Sequence, residues 1–284
     1  MSALESKSLG SEILQYINRQ TVNGQHDKKE TQNVNMVKKD KKEIVYKERV
    51  TSLLLLLLEI AGKDTKNAED FDEAYKKRLR FQKQSDWKRF RACIDLLDDT
   101  EYAIINCFEY QLGELKNIKN DLGEIYLRLY GILNAVYLQM NAYSTLSNLL
   151  NYPHRKLIQK EFENLDIYKL RGIAGAHTTD YLYDKETMEE KRPKNRKTSF
   201  RIVQMYLEKT GSKIVALDEN EILFEFNLLE ILIQYENIAR KLLVGLIEHS
   251  IETIVFEKEN KNEMKNRLYA LLPLLLDYKT LNKN

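Results

Sequence analysis

Arg171 and His177 enclose Gly172-Ile173-Ala174-Gly175-Ala176, and Thr178-Thr179-Asp180-Tyr181 follows directly. A guanidinium stays charged at any working pH and grips phosphate oxygens as a planar fork, while an imidazole gains and loses a proton near neutrality. Such a pair can cut a phosphodiester without a metal. RNA carries its own nucleophile, the 2′-hydroxyl, so a protein has only to orient the phosphate, neutralise developing charge and move protons. The spacing sets a geometric condition. On a straight α-helix six residues rise ~9 Å and leave the two side chains ~120° apart, which is poor for one small pocket. Gly172 and Gly175 lower helix propensity, so either the helix starts late or distorts near the motif, or the groups converge across a dimer axis. An Arg and a His at this spacing also fit a plain surface cation and a hydrogen-bonded structural imidazole.

Other candidates flank this pair. Lys191, Arg192, Lys194, Arg196, Lys197 and Arg201 occur with no acidic residue between them. Such a stretch suits an RNA backbone, and with Pro193 and Asn195 it equally suits a solvated loop. A second basic run, Lys76, Lys77, Arg78, Arg80, Lys83, Lys88, Arg89 and Arg91, is interleaved with Tyr75, Phe81, Trp87 and Phe90. Those aromatics read as base-stacking platforms or, at helical spacing, as core contacts. Tyr181 and Tyr183 support His177 or a substrate base, or else pack. Glu124 and Arg128, four residues apart, form a pair that lines a helical interior or sits on the surface. His26, His154, His177 and His249 are scattered without ligand spacing, and Cys93 and Cys107 lack the paired spacing of a zinc site. No metal and no cofactor is expected.

The elements that must position these groups read as mainly α. Only 10 Gly and 3 Pro interrupt 284 residues, 43% of them hydrophobic, which leaves long helices and a sizeable core as the default. The 45 basic and 43 acidic residues nearly cancel, so any nucleic-acid surface has to be a local patch. Two unpaired cysteines fit a reducing, cytoplasmic setting. Met1 to Gly10 lacks the apolar stretch of a secretory leader, and the Leu53 to Leu58 run, bracketed by Glu48, Arg49, Glu59 and Lys63, falls well short of the ~20 residues of a membrane span. It reads as a buried helix segment, and no membrane partner is expected.

Residues 1–43 read as a short amphipathic stretch around Ile13, Leu14 and Ile17 followed by a mobile polar linker. Residues 44–284 read as one helical domain. Helices are expected over Ile44 to Ala61, over Glu69 to Leu97, from a cap at Asp98 or Asp99 with Glu101 in its first turn to about Leu115, over Leu122 to Leu150, and over Lys156 to Asp166. The 122–150 segment is the most strongly marked, with Leu129, Ile132, Leu133, Val136, Tyr137 and Met140 at helical spacing. Ser199 to Leu207 alternates as a strand, Lys209-Thr210-Gly211-Ser212 reads as a turn, and Lys213 to Leu217 pairs back. That hairpin shapes a substrate groove or covers one flank of the helices. Leu228 to Val255 and Glu263 to Asp277 return to helix.

The long helix containing Gly123-Glu124-Ile125-Tyr126-Leu127-Arg128-Leu129-Tyr130, a short helix and then the Arg171 to His177 motif together resemble a HEPN domain with its Arg-x(4 to 6)-His motif, over Leu96 to Tyr181. The resemblance implies a HEPN-like helical bundle, with the β-hairpin near 199–217 as an insertion, that forms a homodimer through its motif-bearing helices. It further implies a metal-independent endoribonuclease of bacterial defence or of a toxin–antitoxin system, with RNA as substrate and an antitoxin or defence protein as partner. Arg171 would bind the scissile phosphate and His177 would transfer protons. Gly172 departs from the pattern, because active members often carry a polar residue there. Two other readings therefore stand beside the nuclease: a non-catalytic HEPN-like module that binds a partner protein or RNA, and a helical interaction protein outside the family.

Overall fold

Two long helices, one near the middle of the chain and one near its end, each carry more buried side chains than any other element in a computed structural model that describes residues 50–62, 69–112, 121–175, 199–210 and 212–272. The described helices are α1 (50–62), α2 (Phe71–Leu79), α3 (Ser85–Tyr110), α4 (Leu122–Leu149), α5 (Arg155–Glu163), α6 (Asp166–Gly175), α7 (Gln204–Thr210), α8 (Leu228–Ile254) and α9 (Lys258–Leu271). The strands are β1 (Phe200–Ile202), β2 (Lys213–Asp218) and β3 (Leu223–Asn227). The fold is thus mainly helical with a small antiparallel sheet. The N-terminal arm, residues 1–43, lies outside the described residues.

α4 starts where the Asp121 carboxylate accepts from the Gly123 backbone N–H at 2.8 Å, meeting one of the donors that a helix leaves free at its start. Its Leu129, Ile132, Leu133, Val136 and Met140 are buried at the spacing the sequence predicts, and Tyr137 of the same stripe is half-buried. α3 lies antiparallel along it: Cys93 stands by Thr145, Leu97 and Glu101 by Gln139, and Cys107 by Arg128. α1 buries Leu53, Leu54, Leu56, Leu57 and Ile60. Thr51 Oγ1 donates to Asp98 at 2.7 Å, and Arg267 holds both Glu59 oxygens at 2.7 Å, tying α1 to α3 and α9. Among the described residues no helix is long and apolar enough to cross a membrane.

Several expected boundaries move. The helix expected over 69–97 breaks after Leu79: Arg80 takes a left-handed conformation (φ 55°), the Phe81 N–H reaches back to Lys76 O at 2.9 Å, and the Phe81 side chain enters the core. This is a Schellman ending made without glycine. Conversely, Asp98 and Asp99 do not cap a new helix. α3 runs through them, because the Asp98 carboxylate is held by Thr51 and Thr100 Oγ1 donates back to Leu96 O within the helix. Glu101 is therefore not in a first turn but mid-helix and buried. α3 ends at Tyr110 rather than near Leu115, with Gln111 at φ 50°. α9 starts earlier than expected, at Lys258.

The expected hairpin also changes form. β1 covers only Phe200–Ile202, and α7 occupies the stretch read as strand and turn. β1 still pairs antiparallel with β2, Phe200 opposite Asp218 and Ile202 opposite Ala216. β3, which the sequence reading missed, pairs on the other side of β2 with Lys213 opposite Asn227. Ile214, Val215 and Ala216 of the central strand are fully buried.

After α4 the chain turns through Asn151 (φ 52°) and sets Tyr152 edge-on against His154 and His249, with His249 Nε2 3.1 Å from Leu150 O. α8 can pass this close only because of Gly245, where an added Cβ would lie 2.6 Å from Tyr152 Oη. Gly245→Ala is expected to destabilise by ~1–2 kcal/mol through that overlap. Gly131→Ala, on a part of α4 where a Cβ meets nothing within 4 Å, is expected to gain ~0.5–1 kcal/mol of helix propensity. Urea melts of both variants check the contrast, and a gain at Gly245 would rule out the close approach.

Candidate functional site around Arg171

α6 begins at Asp166, so Arg171 sits in its second half and the helix does not start late at the motif. It continues as regular helix through Gly172 to Gly175, so the expected distortion is absent over those residues. Leu170 and Ala174 enter the main core, while Ile173 joins Phe200, Ala216 and Phe224 beneath the sheet. Gly172 is buried as well. With those neighbours anchored on two sides, Arg171 and Gly175, four residues apart on one helical face, are left exposed.

The Arg171 guanidinium lies over the Tyr137 ring of α4, with Cζ 3.9 Å from the ring centroid. A cation over an aromatic face gains ~0.5–2 kcal/mol and keeps its N–H edges available. Among the described residues no carboxylate pairs with Arg171. Tyr168, half-buried one turn earlier, has its hydroxyl pushed up by burial, then by Glu163 and Tyr137, against the opposing pull of Arg171. A Cβ on Gly175 would meet nothing within 4 Å. Among the described residues the result is a seated cation with open space beside it, suited to holding an anion.

Of the other candidates, His177, Tyr181, Tyr183, Lys191, Arg192, Lys194, Arg196 and Lys197 lie outside the described residues. Arg201 is exposed on β1, and its Nη2 reaches both Glu221 oxygens at 2.8 and 2.9 Å, so a phosphate there would have to displace a carboxylate. Glu124 and Arg128 do pair, at 2.9 Å and partly buried. Arg128 precedes Tyr137 by nine residues, about 13 Å of helix and about half a turn around it. The pair therefore does not join Arg171; it sits beside Cys107, whose thiol burial raises to about 12 against the pull of Arg128. The base-stacking alternative for the 75–91 aromatics falls: Tyr75, Phe81, Trp87 and Phe90 are all buried, Tyr75 stacking on Trp87 at 3.6 Å.

A second group of chemistry-bearing residues went unrecognised in the sequence. Glu101 of α3, Gln139 and Tyr143 of α4, and Tyr235, Glu236 and Arg240 of α8 are buried together. Tyr235 Oη donates to Gln139 Oε1 at 2.7 Å, Gln139 Nε2 donates weakly to Leu97 O and Glu101 Oε2 at 3.3 and 3.4 Å, and Arg240 Nη2 donates to Glu236 Oε2 at 3.2 Å. Burial, reinforced by the Glu236 charge, holds the Glu101 carboxyl well above its ordinary range, and burial takes Glu236 to about 8. The available signal was Glu236 and Arg240, four apart on the face of α8 that also carries Leu232, Ala239 and Leu243. Buried in this way, the network organises the core.

No protein-family model matches the chain, nor does any curated protein or solved structure.

Proposed function

We propose that this chain is a HEPN-like, metal-independent endoribonuclease of bacterial defence or toxin–antitoxin type. Arg171 holds the scissile phosphate, His177 transfers protons, and two copies pair through their motif segments. The observation that carries the reading is the state of Arg171: exposed, seated over Tyr137, and facing no carboxylate among the described residues. A cation held only for solubility has no need of a ring beneath it. The basic stretch Lys191 to Lys197 then supplies phosphate contacts downstream.

The test is incubation of the purified protein with mixed RNA in EDTA, alone and with the products of its neighbouring genes. Cleavage that survives EDTA supports the reading; intact RNA in every combination overturns it. A non-catalytic module that binds RNA or a partner protein is the second reading, and Gly172 favours it, since a buried glycine places no polar group beside Arg171.

Gly175 separates approach from folding. Because its Cβ would meet open space, Gly175→Ala should hold or raise helix stability, by up to ~1 kcal/mol. Gly175→Trp should fold as well yet weaken RNA cleavage, because the bulk stands where the strand passes Arg171. Unchanged cleavage by Gly175→Trp would move the strand off this face.

A further inference from the structure

Residues 76–91 hold eight basic residues and one acidic residue. The fold engages three of the cations: Lys76 with Glu73 and Arg89 with Asp86, each at 3.3 Å, and Arg78 Nε with Ile60 O at 3.1 Å. Lys77, Arg80, Lys83, Lys88 and Arg91 are exposed, and among the described residues no carboxylate pairs with them. Elsewhere among the described residues cations meet carboxylates, as Lys261 and Lys265 do with Glu252, Arg267 with Glu59, and Lys213 with Glu225. The excess on α2 and α3 is therefore local, and self-repulsion is its cost.

An aromatic ring from a distant part of the chain stands in this field. Val255 ends α8 in extended backbone (φ −89°, ψ 119°) and enters the core, which turns the next side chain outward. Phe256 is 74% exposed. The Arg80 guanidinium lies 5.9 Å from its ring centroid. The left-handed turn at Arg80 and the burial of Phe81 keep that side chain outside. Lys77 precedes Arg80 by one helical turn, and Lys83 follows it across the reversal into α3.

We propose that the Arg80–Phe256 corner binds single-stranded RNA, one base stacking on Phe256 while Lys77 and Lys83 contact the flanking phosphates; the choice of RNA rests on the nuclease reading above. An exposed ring among unanswered cations matches a base with its phosphates, since each base offers an apolar face and each linkage an anion. A duplex keeps its base faces stacked and can use only the charges.

The full chain is titrated with a fluorescent single-stranded DNA of about 12 nucleotides, which has no 2′-hydroxyl and so reports binding apart from cleavage. Phe256→Ala is expected to weaken binding roughly 5- to 100-fold without changing the salt slope, and Phe256→Leu nearly as much. Lys77→Gln with Lys83→Gln should flatten the log–log salt slope by ~1.4. On an abasic strand Phe256→Ala should have no effect. Wild-type affinity in folded Phe256→Ala, equal affinity for duplex, or equally good displacement by polyglutamate would each overturn the site. EDTA-resistant cleavage that depends on Arg171 would then still stand. Conversely, binding that depends on Phe256 in a protein that cuts no RNA keeps the corner and removes the nuclease.

Discussion

Replacing His177 by Ala is expected to lower EDTA-resistant RNA cleavage about 10²- to 10⁴-fold, the usual loss when a proton-transfer group is removed from an otherwise intact site. Arg171→Lys is expected to fail substantially too, although the charge is kept. An ammonium offers no planar fork for two phosphate oxygens and no flat face to lie over Tyr137. Arg171 is exposed, so that substitution should cost only the ring contact, ~0.5–1 kcal/mol. A folded and inactive Arg171→Lys protein would thus separate lost chemistry from lost structure. The products should end in 2′,3′-cyclic phosphate: the 2′-oxygen bonds to phosphorus, the bond to the 5′-oxygen breaks, and a 5′-hydroxyl leaves. Activity undiminished in either variant would place the cutting groups elsewhere.

α4 and α8 were legible because their signals are local. Asp121 caps α4, apolar residues recur at helical spacing through Met140, and Leu228–Ile254 reads the same way. The break at Arg80 was not, since a left-handed helix ending usually advertises itself with glycine and here rests on Phe81 finding the core. β3 escaped because its five residues run into α8 without a breaker, the turn before it being shaped by Asp218, whose carboxylate accepts from the Asn220 and Ile222 N–H groups. At the candidate site, Arg171 was legible by type and spacing, but its platform was not. Tyr137 falls within the apolar stripe of α4, and only the placement of α6 reveals that its ring faces a guanidinium. Glu101 is the sharpest miss: among Asp98, Asp99 and Thr100 it looks like a surface carboxylate at a helix start, and only its partners from α4 and α8 show it to be interior.

That buried network should make stability fall as pH rises. Glu101 and Glu236 titrate higher in the fold than their ordinary value of 4.5, through burial and, for Glu101, through Glu236 and Asp98 nearby. The folded protein therefore keeps protons that the unfolded chain releases. The Glu236 contribution is complete below pH 4.5 and is lost as pH rises through about 8, and the Glu101 contribution falls in the same direction. Tyr143 and Tyr235, held above their ordinary range by the same burial and by these carboxyls, stay neutral throughout. Within the network the Arg240 guanidinium contacts Glu236, at 3.2 Å, while Glu101 meets the neutral Gln139 amide, so Glu101 is the carboxyl that holds its proton more firmly. Glu101→Gln imitates that neutral form. It should match wild type near pH 5 and exceed it at pH 9, with a flatter dependence between. Arg240→Ala should cost ~3–5 kcal/mol at pH 9, where it leaves the Glu236 charge buried without its cation. Part of that loss should return on acidification, as Glu236 takes up a proton. Urea unfolding midpoints from pH 5 to 9 measure all three proteins; a wild-type curve that is flat across that range, or a Glu101→Gln curve as steep as wild type, would mean that Glu101 is ionised inside the fold.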